Sequence, residues 1–397
     1  MLRRTLSSKL ASVAKQYPVV VLTGPRQSGK TTLAKSTFHG YSYVSLENLD
    51  TRDFAMRDPR GFLAQHREKV IIDEAQKAPD LLSYIQTAVD EDAAPGRYIL
   101  TGSQQFHLLA KVSQSLAGRA AYLRLLPFSL SELSESEPND ASAYHGPAHE
   151  ARPRALKLDE TLFKGLYPRI YDRKLDAPGF LESYIATYIE RDVREVLRVG
   201  DLMTFQRFVQ LCAGRSGQIL NFSALASDCG ISHSTAREWL SVLEASSIVH
   251  LLQPFYKNFS KRIMKSPKLY FIDTGLMCHL LRIRNSGDLQ GHPLYGSVFE
   301  TLIVSEILKA FTHRGERPPL FYWRDQTGHE VDALLDFGTR LTAIEIKAGK
   351  TVTSDALKTL KYFSELKGVR ANSVLVYGGE ESALREGVRV RSWWQMS

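Results

Sequence analysis

At 397 residues the chain is too long for one ordinary core, and at roughly 100 to 200 residues per domain it divides into two to four. With 43% hydrophobic and 24% charged residues it has a globular composition, and no apolar run approaches the roughly 18 residues that a membrane span needs, which excludes a membrane-spanning class. The 51 Lys and Arg against 43 Asp and Glu leave a net charge of +8, which favours polyanionic partners only where the basic residues cluster.

The N-terminal MLRRTLSSKLASVAKQ is basic and lacks acids, a composition shared with transit peptides, but no long apolar stretch follows as a secretory signal requires. The expectation is an amphipathic helix with Leu6, Leu10 and Val13 inward. Cys212, Cys229 and Cys278 are widely spaced, with no CxxC pair and no zinc-type histidine spacing, so they read as buried thiols in a reducing cytoplasm.

The run Val19 to Leu22 predicts a buried strand, and it leads into Gly24-Pro25-Arg26-Gln27-Ser28-Gly29-Lys30-Thr31-Thr32 and a helix start. Strand, glycine-rich loop and helix in that order form a phosphate cradle. Its backbone N–H groups turn inward around phosphate, Lys30 reaches the β and γ oxygens of ATP, and the Thr31 hydroxyl holds Mg²⁺. A second apolar strand, VIID, ends in Asp73-Glu74, which suits magnesium placement by Asp73 and a general-base role for Glu74. A third, RYILTGSQQF, brings Ser103 and Gln104 to the C-terminal end of a parallel sheet as γ-phosphate sensors. In SLAGR, Arg119 has two readings: an arginine finger acting on a neighbouring subunit's nucleotide, or the partner of a carboxylate in its own domain.

GPRQSGKTT, IIDEAQ, LTGSQQF, SLAGR and LPFSLSEL, followed by YIERDV, together resemble the prokaryotic AAA+ ATPases that carry a C-terminal DUF4143 region. The resemblance runs along nearly the whole chain. It implies an α/β P-loop AAA+ core with a parallel sheet, then a winged helix-turn-helix module, then an α/β restriction-endonuclease-like domain.

Ser134 to Ala155 is rich in Ser, Ala, Pro and acids without periodicity and reads as a mobile linker or insertion. The expected divisions are an ATPase core over 1–133, this linker over 134–155, a helical connector over 156–202, a winged-helix module over 203–285 and a nuclease-like domain over 286–397. In the connector, Leu181, Tyr184, Ile185, Tyr188 and Ile189 fall on one helix face and leave Arg191, Asp192 and Arg194 outward or toward a neighbour.

In the winged-helix division a helix from about Phe222, a turn at Cys229-Gly230 and a helix capped by Ser232 make a helix-turn-helix. It buries Ala236, Trp239, Leu240 and Leu243 and exposes His233, Ser234, Arg237 and Glu238. The exposed set suits the DNA major groove, while plain interdomain packing uses the same fold. Lys257, Lys261, Arg262, Lys265 and Lys268 then form an acid-free hairpin, either a phosphate-contacting wing or a solvated surface, and Arg282 and Arg284 extend its charge.

Near the C-terminus, GSVFETLIVSEILKAF predicts a helix with Phe299, Leu302, Ile303, Ile307 and Leu308 apolar and Glu300 near its start. A hairpin carrying Asp332 and a strand carrying Glu345 and Lys347, two apart and so on one side, follow. Convergence of Glu300, Asp332 and Glu345 on a metal with Lys347 beside them resembles the PD-(D/E)xK nucleases, with Val331-Asp332 where the name has Pro-Asp. A non-cutting binding module and a surface ion pair remain alternatives. The functional expectation is a Mg²⁺-dependent ATPase, oligomeric and most simply hexameric, that remodels or moves along branched or duplex DNA, with cleavage as an added activity. Its rival is an ATP-operated switch whose winged helix and nuclease-like domain bind DNA or protein partners.

Overall fold

The computed structural model describes residues 2–102, 116–140, 142–144, 146, 156–188, 201–255, 266–366 and 369–397. They fall into two compact units: Met1–Phe128 with 245–247 and 312–316, and Ser129–Glu244 with Ile248–Phe311 and Arg317–Ser397. Among the described residues no helix is long and apolar enough to cross a membrane.

The first unit contains, in order, α1 (Leu6–Val13), β1 (Val19–Thr23), α2 (Lys30–Thr37), β2 (Ser42–Ser45), α3 (Leu49–Arg57), α4 (Pro59–Gln65), β3 (Val70–Asp73), α5 (Leu81–Glu91), β4 (Tyr98–Thr101) and β5 (Ala120–Arg124). The five strands are parallel in the order β2-β3-β4-β1-β5. Strands β1, β3 and β4 are apolar on both faces because helices cover both faces. Val19, Val21, Ile72 and Leu100 pack with Phe62, Leu81 and Ile85 on one side. Val20, Leu22, Ile71 and Ile99 pack with Leu6, Leu10 and Leu33 on the other. Leu6, Leu10 and Val13 are buried, as their spacing requires of α1.

The second unit opens with α6 (Leu130–Leu133), capped by a reciprocal Ser129–Glu132 box. Within the expected linker or insertion, the described residues of 139–146 make specific contacts. Asn139 and Tyr144 are buried; Asn139 Nδ2 donates to the Gln395 carbonyl at 2.8 Å, and Arg391 donates to the Ala143 and Gly146 carbonyls at 2.7 Å. Buried polar groups here are satisfied by the C-terminal segment.

Helices α7 (Leu158–Lys164), α8 (Pro168–Asp172) and α9 (Ala177–Tyr184) follow, and the last continues as a π turn over 185–188. Leu181, Tyr184 and Tyr188 are buried and Ile185 is half-buried. Ile189, Arg191, Asp192 and Arg194 lie outside the described residues.

Then come α10 (Leu202–Gly214), α11 (Phe222–Cys229), α12 (His233–Ala245) and the antiparallel pair β6 (Val249–Leu252) and β7 (Lys268–Phe271). Asn221 caps α11, and Gly230 ends it in the left-handed region at φ 72°, the conformation a tight inter-helix turn needs. The Ser232 hydroxyl accepts from the Thr235 N–H at 3.0 Å and starts α12. Ala236, Trp239, Leu240 and Leu243 are buried, with the Trp239 ring edge-on to Phe205 and Phe208. The three cysteines are buried and unbridged.

After α13 (Thr274–Leu280), α14 (Ser286–Gln290) and α15 (Tyr295–Thr312), a six-stranded sheet closes the chain. It is formed by β8 (Leu320–Arg324), β9 (Glu330–Asp336), β10 (Leu341–Lys347), β11 (Ala371–Tyr377), β12 (Ala383–Arg385) and β13 (Val388–Ser392), with α16 (Asp355–Glu365) crossing between β10 and β11. Its order is β12-β13-β11-β10-β9-β8. Strands β8, β9 and β10 are antiparallel neighbours, while β11 lies parallel to β10 and β13. Leu357, Leu360 and Phe363 of α16 cover Val331, Ala343 and Leu375. On α15, Phe299, Leu302, Ile303, Ile307 and Leu308 are all buried.

Candidate functional sites

The phosphate loop is shaped by backbone that only certain residues tolerate. Gly24 takes φ 144°, and a Cβ there would sit 2.0 Å from the Leu125 carbonyl oxygen, so the turn out of β1 requires glycine. Gly29 at φ 91° caps α2, whose N-terminus faces the loop. Lys30 is buried and folds back onto the loop, its Nζ donating to the Gly24 carbonyl at 3.0 Å and the Pro25 carbonyl at 2.8 Å. Burial pulls its pKa down to about 8. An incoming phosphate would favour the charged form and give the ammonium stronger acceptors than two carbonyls.

Across the cradle the Thr31 hydroxyl lies 3.1 Å from both carboxylate oxygens of Asp73. The two motifs are 42 positions apart in the chain. The sheet order brings them together, although β4 stands between the strands that carry them. Thr101, at the end of that intervening strand, donates to Asp73 Oδ1, and Tyr43 donates to Oδ2 at 2.9 Å. Burial and the Asp73 charge push the Tyr43 phenol up to about 12, so it stays protonated and remains a donor.

Glu74 occupies the left-handed region at φ 56°, unusual for a non-glycine residue, and receives the Gln76 side-chain amide. Backbone strain of this kind persists where surrounding structure fixes it and a site uses it.

Three contributors were not legible as site residues in the sequence: Tyr43, Thr101 and Arg4. Arg4 is buried and donates to the Ser28 carbonyl in the phosphate loop and to the Leu126 carbonyl, both at 2.7 Å, with its guanidinium 4.8 Å from the Phe128 ring centre. In the sequence it is one of several basic residues near the N-terminus, with nothing to separate it from Arg3. Ser103 and Gln104 lie outside the described residues. Arg119 makes a two-pronged pair with Asp90 of its own unit, Nη2 to Oδ2 at 2.9 Å, on the surface.

In the second unit His233, Ser234, Arg237 and Glu238 are exposed on the first turns of α12, and Arg237 stacks on Phe222 at 4.8 Å. Lys257, Lys261, Arg262 and Lys265 lie outside the described residues. Lys268 does not fit a solvent-facing wing. It is only 2% exposed, and its Nζ lies 3.2 Å from Glu300 Oε1 and 3.9 Å from Asp332 Oδ1 and in contact with Glu330. The physical reason is that a strand's side chains alternate between faces, and the first residue of β7 points to the side on which α15 and β9 supply acids.

Glu300, Asp332, Glu345 and Lys347 do gather in one neighbourhood. Asp332 Oδ2 accepts from the Ile346 N–H at 2.8 Å, and Lys347 Nζ pairs with Glu345 Oε1 at 2.6 Å. Burial and the neighbouring Asp332 raise Glu300 to about 7 and Glu345 to about 8; burial also raises Asp332. Burial opposes the charge on Lys347, but Glu345 and Asp332 outweigh it and hold the ammonium above its usual range. Yet among the described residues no three His, Cys, Asp or Glu side chains are placed to hold a metal ion together. The Lys268 ammonium sits against two carboxylates of the expected metal set, Glu300 and Asp332.

Residues 16–134 match the family model described as an AAA domain, residues 155–287 a domain of unknown function, DUF8612, and residues 295–395 a domain of unknown function, DUF4143. The chain is 28% identical over 382 residues to an uncharacterized protein of Mycobacterium bovis and to one of Mycobacterium tuberculosis, covering 95% of this chain and 80% of each relative. Among solved structures it is similar to a Walker-type ATPase of Pyrococcus abyssi, with a TM-score of 0.44 and 16% identity over 70% of this chain and 95% of that one. AMPPCP-bound DnaA from Aquifex aeolicus gives a TM-score of 0.26 and 12% identity over 60% of this chain and 85% of that one.

Proposed function

We propose that this chain, an AAA-type P-loop ATPase core joined to a C-terminal DUF4143 domain, uses ATP hydrolysis to act on branched or duplex DNA. Thr31 and Asp73 would hold the Mg²⁺ of a bound nucleotide, which supplies charge stabilisation at the β and γ phosphate oxygens. Lys30 neutralises the phosphates, the loop amides orient them, and Glu74 takes the proton of the attacking water.

The observation that supports DNA as the substrate is the exposed start of α12, where His233, Ser234 and Arg237 follow a capped helix-turn-helix. The basic run from Lys257 to Lys265 adjoins it in sequence. In this reading α10 to α12 with β6 and β7 form a winged helix that holds DNA phosphates and bases. Hydrolysis is expected to rise several-fold with linear, forked or four-way-junction DNA, and the gain should shrink as salt rises because bound counterions are released on binding. Indifference of both hydrolysis and binding to every DNA would leave the other reading, an ATP-operated switch acting on protein partners. Strand scission lost in Asp332→Ala would restore a nuclease role.

Arg119 pairs with Asp90 of its own unit, yet the finger reading stays open to test: it requires assembly into a ring, with six subunits the simplest closure. The pair with Asp90 is solvent-exposed, so a phosphate presented by a neighbour can compete for the guanidinium. Mixing Arg119→Ala subunits with Lys30→Ala subunits should recover hydrolysis that neither has alone. A mixture as inactive as its components would confine Arg119 to its own unit.

A further inference from the structure

The acidic cluster of the C-terminal domain is built like a cation site and is already served by a cation. We infer that the Lys268 ammonium is the resident cation of this cluster, making it a metal-independent joint between the β6–β7 pair and the C-terminal sheet.

Three carboxylates from two elements face one buried Nζ. Glu300 comes from α15, and Glu330 and Asp332 come from β9. Each of the three carboxylates also accepts a further hydrogen bond. Tyr270, two residues along β7, donates its hydroxyl to Glu300 Oε1 at 2.5 Å, the Ile346 N–H holds Asp332 Oδ2, and Arg324 reaches Glu330 Oε2 at 3.3 Å. A magnesium ion needs near-octahedral oxygens at about 2.0–2.1 Å and would have to share this space with a buried positive charge.

The ammonium has little means of retreat. Leu252 pairs with Lys268 across the hairpin, and on the opposite side Gly217 N–H donates to the Leu269 carbonyl at 2.7 Å while Leu269 N–H donates to the Gln218 carbonyl at 3.0 Å. Backbone pairing on both sides fixes where the lysine stem starts. An isolated bridge ties the segment after β6 to β8, where Phe255 N–H donates to the Tyr322 carbonyl at 2.6 Å and Tyr322 N–H donates to the Gln253 carbonyl at 3.0 Å. The ion cluster therefore lies inside a hydrogen-bonded junction. Glu345 and Lys347 form a separate pair on β10, with Glu345 Oε2 buried and unbonded.

The test is Mn²⁺ binding followed by electron paramagnetic resonance, without nucleotide, on wild type, Asp332→Asn, Lys268→Met and the double variant Lys268→Met/Glu330→Gln. The double variant removes one negative charge with the ammonium and so protects the fold. Wild type should show no Mn²⁺ site that depends on Asp332, whereas folded Lys268 variants should gain one. An Asp332-dependent site in wild type overturns the inference, as does a folded Lys268 variant that gains none. Loss of the fold in both variants, with no such site in wild type, supports it by showing that the ammonium holds the junction together.

Discussion

Glu74→Gln should lower ATP hydrolysis by about 10²–10⁴-fold, the usual worth of a positioned general base, while ATP binding stays within a few-fold of wild type. The isosteric amide keeps the side chain's size and can remain beside Gln76, so it removes the proton acceptor and little else. Binding should survive because the groups that hold the phosphates are elsewhere: the loop amides, Lys30 and the Thr31–Asp73 pair. Single-turnover hydrolysis and nucleotide titration on the same preparation separate the two effects. If Glu74→Gln turns over at the wild-type rate, the strained φ of 56° at this position serves the turn after β3 and not catalysis.

Lys268→Ala should destabilise the second unit by about 3–5 kcal/mol at pH 8, the cost of removing one partner from a buried ion cluster and leaving like charges together. The loss should shrink on acidification. Glu300 already has its folded pKa raised to about 7 from 4.5, chiefly by burial, so the folded state holds this proton more tightly than the unfolded chain. A carboxyl raised in this way contributes stability that is full below about pH 4.5 and fades as pH climbs through the folded value. Without the ammonium the folded value rises further, so the variant's stability should fall more steeply between pH 5 and pH 8 than that of wild type. All four tryptophans, Trp239, Trp323, Trp393 and Trp394, belong to this unit, so urea unfolding followed by their fluorescence reads it directly. A variant within about 1 kcal/mol of wild type at pH 8 would mean that the carboxylates neutralise by protonation at little cost.

What the sequence by itself determined were features written in short-range pattern. The phosphate loop needs a fixed run of residue types, the apolar strands announce a sheet covered on both faces, and Gly230 and Ser232 mark the end of one helix and the start of the next. The sides taken by Glu345 and Lys347 follow from the two-residue period of a strand. What only the tertiary structure decided were pairings across long loops. Arg4 finds Leu126 at a separation of 122 positions, Asn139, Ala143 and Gly146 find their partners in the C-terminal segment, and Lys268 finds Glu300 32 positions on. Lys268 has the same neighbours in sequence as a solvated basic hairpin. Its role depends on which charges are brought to it after the water is removed, and desolvation is a property of the packed fold that no local run of residues encodes.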